Sequence, residues 1–314
     1  MRVKLWGVRG SIPTPPLSSH YLKKLKEVLA LANGKDLSTP DKIDNFVFEL
    51  EPRLNSFVGG NTSTTEIQYK DKLFIIDLGS GLRELGNTLM KPDNKFFEIH
   101  IFISHTHWDH MYGFPFFKPA YDPRFTLHFY SPHGDLLNKL HYQQDFRFFP
   151  VSVDYMQSKK IFHEYNPEST LNFDGVEVSN IELYHPGKSY GYKFKTAENI
   201  FIFASDSEYN NFSSMQYYKY IEFYKDADVL IFDAQYSFDQ ELQRIDWGHS
   251  SALVGVDLAI KSNVKILALY HHDPDNDDDA IYQLYENALL YKERNYPDSK
   301  LNLILAKEGM VFDL

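Results

Sequence analysis

Short apolar runs alternate with helical patterns along the chain. Most of the runs are continuous in hydrophobicity, which is typical of strands covered on both faces. The seven clearest runs predict strands at 72–77, 98–104, 126–130, 176–184, 200–205, 229–233 and 265–270. A further strand-like run opens the chain and stops at Gly7.

Two segments in the C-terminal part show the helical repeat. They span 251–263 and 277–292, and the second opens on three aspartates, which interact favourably with a helix dipole. The two apolar stripes are formed by Leu253, Val256, Ile260, Ile281, Leu284 and Ala288. Because strands and helices interleave throughout, the pattern predicts one layered α/β domain over residues 1–314.

Residues at about 16–56 have the pattern of a helical insertion in this domain. An amphipathic helix ends at Gly34, and an irregular acidic stretch continues to about Ser56. The apolar face of this helix consists of Tyr21, Leu25, Val28 and Ala32. The segment is either a helix packed on the domain surface, or a lid or dimer contact beside the functional site.

Composition narrows the chemistry. The chain has no cysteine, so any metal is held by histidine and carboxylate, and disulfides are excluded. The formal net charge is −11, and the sequence has no run of basic residues that could bind a long polyanion. Nucleic acid is therefore the less favoured partner. No stretch approaches the ~20 apolar residues of a membrane span. We therefore expect a cytoplasmic protein with no membrane partner, although the lack of cysteine suits any compartment.

The densest cluster of metal-binding residues directly follows the predicted strand at 98–104. His105, His107, Asp109 and His110 lie within six positions, and these residue types bind zinc and similar cations through nitrogen and oxygen. Alternate residues of an extended turn project to one side. We therefore expect His105 and His107 to share one ion, and Asp109 and His110 to reach a second.

The segment His105-Thr106-His107-Trp108-Asp109-His110 resembles the HxHxDH signature of the metallo-β-lactamase superfamily. Segments 5–11, 59–63 and 74–81 resemble conserved parts of the branch that contains cyclic-nucleotide phosphodiesterases, the phosphonate-pathway cyclic phosphodiesterase and the tRNA 3′-processing endonuclease. The resemblance implies a four-layer αβ/βα sandwich. It also implies a dinuclear site and, as is frequent in this branch, a homodimer, for which the insertion offers one surface.

The resemblance places the remaining metal ligands at three positions. His185 matches the third histidine of the first site, and Asp206 matches the aspartate that bridges the two ions. The last ligand follows the strand at 265–270, where His271 is preferred to its neighbour His272. Zn²⁺ is the default for such ligands, and Mn²⁺ and Fe²⁺ share them.

A second motif concerns the reaction. Trp247-Gly248-His249-Ser250-Ser251 resembles a turn of the phosphodiesterase branch whose histidine faces the scissile phosphate, with Asp233 in the place of its carboxylate partner. Asp233 is shorter than the glutamate found in tRNA-processing enzymes. The resemblance implies a phosphodiesterase in which metal-bound hydroxide attacks phosphorus, with His249, Asp233 and Asp109 as catalytic residues.

The expected substrate is a small phosphodiester, such as a cyclic nucleotide or cyclic phosphate. The alternatives are a tRNA 3′-processing-type endonuclease, an ester, thioester or lactone hydrolase, and a non-catalytic metal-bound sensor. Asp77 either orients a ligand imidazole or caps its own turn. Four aromatic residues after the metal motif either stack on a base or belong to the core: Tyr112, Phe114, Phe116 and Phe117.

Overall fold

Two sheets organise the chain in the computed structural model, which describes residues 1–209 and 214–314. The strands within these residues are β1 (Arg2–Gly7), β2 (Thr64–Tyr69), β3 (Lys72–Ile76), β4 (Glu98–Phe102), β5 (Thr126–Ser131), β6 (Lys159–Glu164), β7 (Thr170–Asn172), β8 (Glu177–Leu183), β9 (Ser189–Lys195), β10 (Ile200–Ala204), β11 (Val229–Asp233), β12 (Ile266–Tyr270), β13 (Asn302–Leu305) and β14 (Val311–Asp313). The first sheet has the order β14-β1-β2-β3-β4-β5-β6, and the second has the order β13-β12-β11-β10-β9-β8-β7.

Helices lie between and after these strands. They are α1 (Ser18–Ala32), α2 (Pro40–Glu49), α3 (Pro52–Asn55), α4 (Leu82–Leu89), α5 (Leu136–Gln143), α6 (Ser214–Tyr224), α7 (Phe238–Gln243), α8 (Ala252–Lys261) and α9 (Asp278–Asn295). The seven predicted strands form as β3, β4, β5, β8, β10, β11 and β12, and the two predicted C-terminal helices form as α8 and α9. None of the described helices is long and apolar enough to span a membrane.

The two sheets pack face to face through an aromatic core. Phe194 of the second sheet lies 5.5 Å from Phe74 and 5.4 Å from Phe102 of the first, measured between ring centres. Edge-to-face pairs of this kind add to the free energy gained by burying the rings. Both strands that carry the first-sheet rings also have buried outer faces, which explains their unbroken hydrophobicity.

Helices cover the outer faces of both sheets. Ile75 of β3 packs with Leu85 of α4 outside the first sheet, and Phe232 of β11 packs with Val256 of α8 outside the second. The layers are therefore helix, sheet, sheet and helix. This arrangement confirms the predicted four-layer αβ/βα sandwich.

The segment at about 16–56 is more helical than its sequence suggested. The stretch after Gly34 is not irregular throughout, because α2 forms with Thr39 as its N-cap and Pro40 in its first turn. The predicted apolar face of α1 is also wrong in part, since Tyr21 is 54% exposed. Lys24 is buried instead and contacts Asp278 of α9 at 2.6 Å. That the segment at about 16–56 is an insertion, and that the protein forms a homodimer, remain predictions.

Candidate metal centre

The predicted ligands gather where parallel strands end. In the first sheet β3 and β4 are parallel, and in the second β10, β11 and β12 are parallel. His105, Asp206 and His271 follow β4, β10 and β12 within a few residues. The carboxyl ends of parallel strands meet at one edge of a sheet, where α/β proteins bind ligands. The two sheets therefore bring residues distant in sequence to one place.

Three of these strand ends turn through a left-handed residue. The φ angles are +62° at Asp77, +59° at Asp206 and +61° at His271. Such conformations are costly for residues other than glycine and cluster at functional sites. Gly10 fits against the His271 turn, because a Cβ atom there would lie 2.5 Å from Nδ1 of His271. The backbone conformation at these three strand ends is therefore adapted to the side chains found there.

Three histidines form the first group of potential ligands, with one ring nitrogen from each of His105, His107 and His185 within 4.8 Å of one another. Nε2 of His185 lies 3.0 Å from Nδ1 of His107. Nδ1 of His185 donates to the carbonyl of Gly248 at 2.8 Å, which fixes its ring and turns Nε2 toward the group.

Two carboxylates and two histidines form the second group, which consists of Asp109, His110, Asp206 and His271. Nε2 of His110 lies 3.2 Å from Oδ1 of Asp206, and Nε2 of His271 lies 3.2 Å from Oδ2 of the same carboxylate. Oδ2 of Asp206 is also 3.7 Å from Nε2 of His105 in the first group. Asp206 therefore lies between the groups, as a bridging ligand would.

The two groups suit divalent cations. Nε2 of His105 and Nε2 of His110 are buried and make no well-aligned hydrogen bond within the described residues. An unsatisfied buried nitrogen costs free energy unless a ligand accepts its lone pair. Imidazole and carboxylate are the donors that zinc and related ions take. This cluster of histidine and aspartate supports binding of divalent metal, and which metal it holds stays a prediction.

The charges of the cluster favour cations as well. Burial disfavours a charged His110, yet Asp206, Asp109 and Asp77 outweigh that effect and raise its pKa well above the usual range. The pKa of His271 is raised for the same reason, because Asp206 and Asp109 raise it to about 9 against the effect of burial. Burial dominates at His185 and lowers its pKa to about 4. The carboxylates thus attract positive charge to the second group, and metal binding there would release protons.

Asp77 holds an imidazole of the second group rather than only capping its own turn. Its Oδ2 accepts from Nδ1 of His110 at 2.7 Å, and its Oδ1 accepts from the backbone nitrogen of Ser104 at 2.8 Å. The hydroxyl of Ser104 also donates to this carboxylate and lies 3.2 Å from Nδ1 of His105. Sequence reasoning missed Ser104, and its place directly before His105 is the only signal that points to it.

The structure separates the two candidates for the last ligand. Nε2 of His271 points at Asp109 Oδ2, at a distance of 3.1 Å. Nε2 of His272 instead donates to the carbonyl of Ala306 at 2.9 Å, away from the cluster. Gln235 was also missed by sequence reasoning, and its Oε1 accepts from Nδ1 of His271 at 3.2 Å. The geometry therefore favours His271 as the ligand.

His249 and Asp233 form a pair at the edge of the cluster. Nδ1 of His249 donates to Oδ2 of Asp233 at 2.7 Å, so the shorter aspartate does reach its partner. A ring nitrogen of His249 lies within 4.8 Å of potential ligand atoms of His185 and Asp206. Of the aromatic residues after the metal motif, Phe114 and Phe117 are fully buried in the core.

The chain matches a known protein family and a curated protein. The Beta-lactamase superfamily domain matches residues 74–272. The chain is 24% identical over 253 residues to a Ribonuclease Z of Picrophilus torridus, which covers 66% of this chain and 78% of that protein.

Crystal structures with the same fold cover nearly the whole chain. The metallo-β-lactamase fold protein YhfI from Bacillus subtilis superposes with a TM-score of 0.64 at 18% identity, over 99% of this chain and 98% of that one. A diphosphatase from the PhnP family superposes with a TM-score of 0.60 at 18% identity, over 100% of this chain and 97% of that one.

Proposed function

The chain belongs to the β-lactamase superfamily, and we propose that it is a metal-dependent phosphodiesterase that acts on a small phosphodiester, such as a cyclic nucleotide or a cyclic phosphate. That it is a metal-dependent hydrolase follows from its relatives and from its cluster of potential metal ligands. The proposal of a phosphodiesterase rests on one observation, the His249–Asp233 pair, which adjoins both groups of potential ligands.

The proposed metal ligands are the three histidines of the first group and the four residues of the second. When bound, two divalent ions, proposed to be zinc, supply an activated water and neutralise charge at the phosphate. The protein orients the ligand rings through Asp77, Gln235 and the Gly248 carbonyl. Asp109 belongs to the second group and accepts a hydrogen bond from the backbone nitrogen of Ser11 at 2.8 Å.

His249 is proposed to give a proton to the departing oxygen. Its Nδ1 is held by Asp233, so Nε2 is the atom that faces the substrate. The backbone nitrogens of Ser207 and Gln235 donate to the Asp233 carboxylate at 3.2 and 3.1 Å. These hydrogen bonds fix the carboxylate, and the carboxylate in turn fixes the orientation and the tautomer of the His249 ring. A proton donor of this kind is what an alkoxide leaving group requires.

A small substrate is favoured over a polymer by the charge of the protein. The net charge is −11, and proteins that grip RNA release counterions through clustered lysine and arginine. The cavity beside His249 is also lined by Asp246, Asp273 and Asp275. A second candidate is an RNA endonuclease, and the match to a Ribonuclease Z favours it.

Hydrolysis by purified protein of measured metal content tests the proposal. Turnover of bis(p-nitrophenyl) phosphate with about two metal ions per chain is the expected result, and turnover of 3′,5′-cyclic AMP would support the small substrate. Cleavage of a precursor tRNA with neither small compound turned over would instead establish the endonuclease. Two bound metal ions with no phosphodiester cleavage at all would contradict the proposal and direct attention to esters, thioesters and lactones.

A further inference from the structure

A cavity of 490 Å³ adjoins His249 and contains a stack of three side chains. The guanidinium carbon of Arg244 lies 4.8 Å from the ring centre of Tyr236 and 5.5 Å from that of Trp247. Trp247 is 60% exposed, although tryptophan gains more than most residues from burial. Exposed aromatic surface beside a reaction centre is the usual mark of a binding site for a planar group.

The stack is held in place by the same turn that positions the proposed catalytic pair. Helix α7, which precedes Arg244, begins with a capping box formed by Ser237 and Gln240. The backbone nitrogen of Trp247 donates to the carbonyl of Arg244 at 3.1 Å. Gly248 follows with φ +83°, and a Cβ atom there would lie 2.2 Å from Nδ1 of His185. The stack is therefore pre-organised, which lowers the entropy cost of binding a ligand.

The charges around the stack select against a second phosphate. Arg244 faces Asp273 at 3.5 Å, and the cavity is also lined by Asp246 and Asp275. Three carboxylates around one guanidinium repel an anion. They accept hydrogen bonds readily, which suits a neutral group that carries hydroxyl and amino donors.

We propose that the stack of Tyr236, Arg244 and Trp247 binds the nucleoside part of the substrate, which carries the oxygen that leaves phosphorus when water cleaves the phosphodiester. In a cyclic nucleotide this oxygen stays on the nucleoside, and the second phosphate ester bond is retained. A nucleoside offers a planar base to Trp247 and ribose hydroxyls or an amino group to the carboxylates. It occupies the leaving-group side because His249, the proton donor to the departing oxygen, lines the same cavity. This inference deepens the proposed function and rests on it for the direction of the leaving group.

Equilibrium binding of adenosine by calorimetry tests the nucleoside site without depending on turnover. Metal-free and metal-loaded full-length protein are titrated with adenosine, with ribose and with inorganic phosphate. Adenosine is expected to bind the wild type, and Trp247→Ala is expected to weaken its binding by at least about fivefold, as loss of one stacking contact does. Trp247→Phe should restore most of the affinity, which separates stacking from folding.

Phe148→Ala is the matched control, because Phe148 is 78% exposed, has the guanidinium carbon of Arg147 5.9 Å from its ring centre, and is not among the residues that line the cavity. Equal adenosine affinity in wild type and Trp247→Ala would overturn the inference, as would a loss confined to Phe148→Ala, or phosphate binding in the cavity as tight as adenosine. Competitive inhibition of bis(p-nitrophenyl) phosphate hydrolysis by adenosine would support the leaving-group side. Trp247-dependent adenosine binding in a protein that cleaves no phosphodiester would support the nucleoside site and overturn the proposed reaction.

Discussion

Replacing Asp77 with asparagine should weaken metal binding without changing the backbone. Asp77 is fully buried and accepts hydrogen bonds on both oxygens, from His110 and from Ser104. Asparagine has one carbonyl oxygen, so its amino group must face one of these two donors whichever way the amide is turned. Asparagine also tolerates the left-handed conformation found here at φ +62°. The substitution therefore removes a charge and one acceptor and little else.

The size of the effect follows from the lost contact. A hydrogen bond to a charged group contributes about 1.5–3 kcal/mol, which corresponds to about 10- to 100-fold in affinity. We therefore expect Asp77→Asn to lower the affinity of the second group by that factor, and to lower the affinity of the three-histidine group much less.

Competition between the protein and a coloured chelator measures this affinity. Asp135→Asn serves as the control, because Asp135 also has a left-handed backbone, at φ +64°, and lies exposed at the start of α5. The thermal midpoint of the metal-free variants shows whether folding has changed. Unchanged affinity in Asp77→Asn, or an equal loss in Asp135→Asn, would refute the argument that Asp77 orients His110.

Three further predictions concern histidines. His271→Ala should lose about one metal ion per chain, whereas His272→Ala should keep both, and the reverse result by elemental analysis would show that the assignment is wrong. His249→Ala should lower kcat by about 10²- to 10⁴-fold at unchanged metal content, and loss of metal would exclude a proton-donor role. Burial lowers the pKa of His100 to about 4, whereas a histidine in the unfolded chain has a pKa of about 6.5. Between these two values only the unfolded chain binds the proton. The folded state therefore loses stability as the pH falls from about 6.5 toward about 4. His100→Phe should therefore gain roughly 1–2 kcal/mol at about pH 5 relative to about pH 8 in urea unfolding, after allowance for the exposed part of the ring; equal gains at both pH values would contradict this.

Much of the candidate site could be predicted because its signal is local. His105, His107, Asp109 and His110 share one turn after a strand whose hydrophobicity already marks it as central. Asp233 likewise ends a strand that is buried along its whole length. Strands with both faces covered are recognisable from composition alone, so the positions that follow them are predictable as well.

The orientation of α1 could not be predicted in the same way. A helix with a repeating apolar stripe has the same sequence pattern whether or not another surface covers that stripe. Here Lys24 is the residue of α1 that turns inward, because Asp278 of α9 lies opposite and neutralises it at 2.6 Å. The start of α9 is more than 250 positions away, so only the fold supplies this partner. The stack around Arg244 likewise depends on the fold, because Asp273, which contacts Arg244, lies in the turn after β12.

The choice between His271 and His272 shows where sequence patterns stop being informative. Both residues follow β12 and both are buried, so neither hydrophobicity nor burial distinguishes them. The difference arises from one backbone angle, because the left-handed conformation of His271 turns its ring toward Asp206. Residues 8–10 then pair with the next residue, since the nitrogen of His272 donates to the carbonyl of Val8 and its own carbonyl accepts from Gly10. That pairing fixes the His272 ring against Ala306, so the segment that follows β1 favours His271 as the histidine that reaches the candidate metal centre.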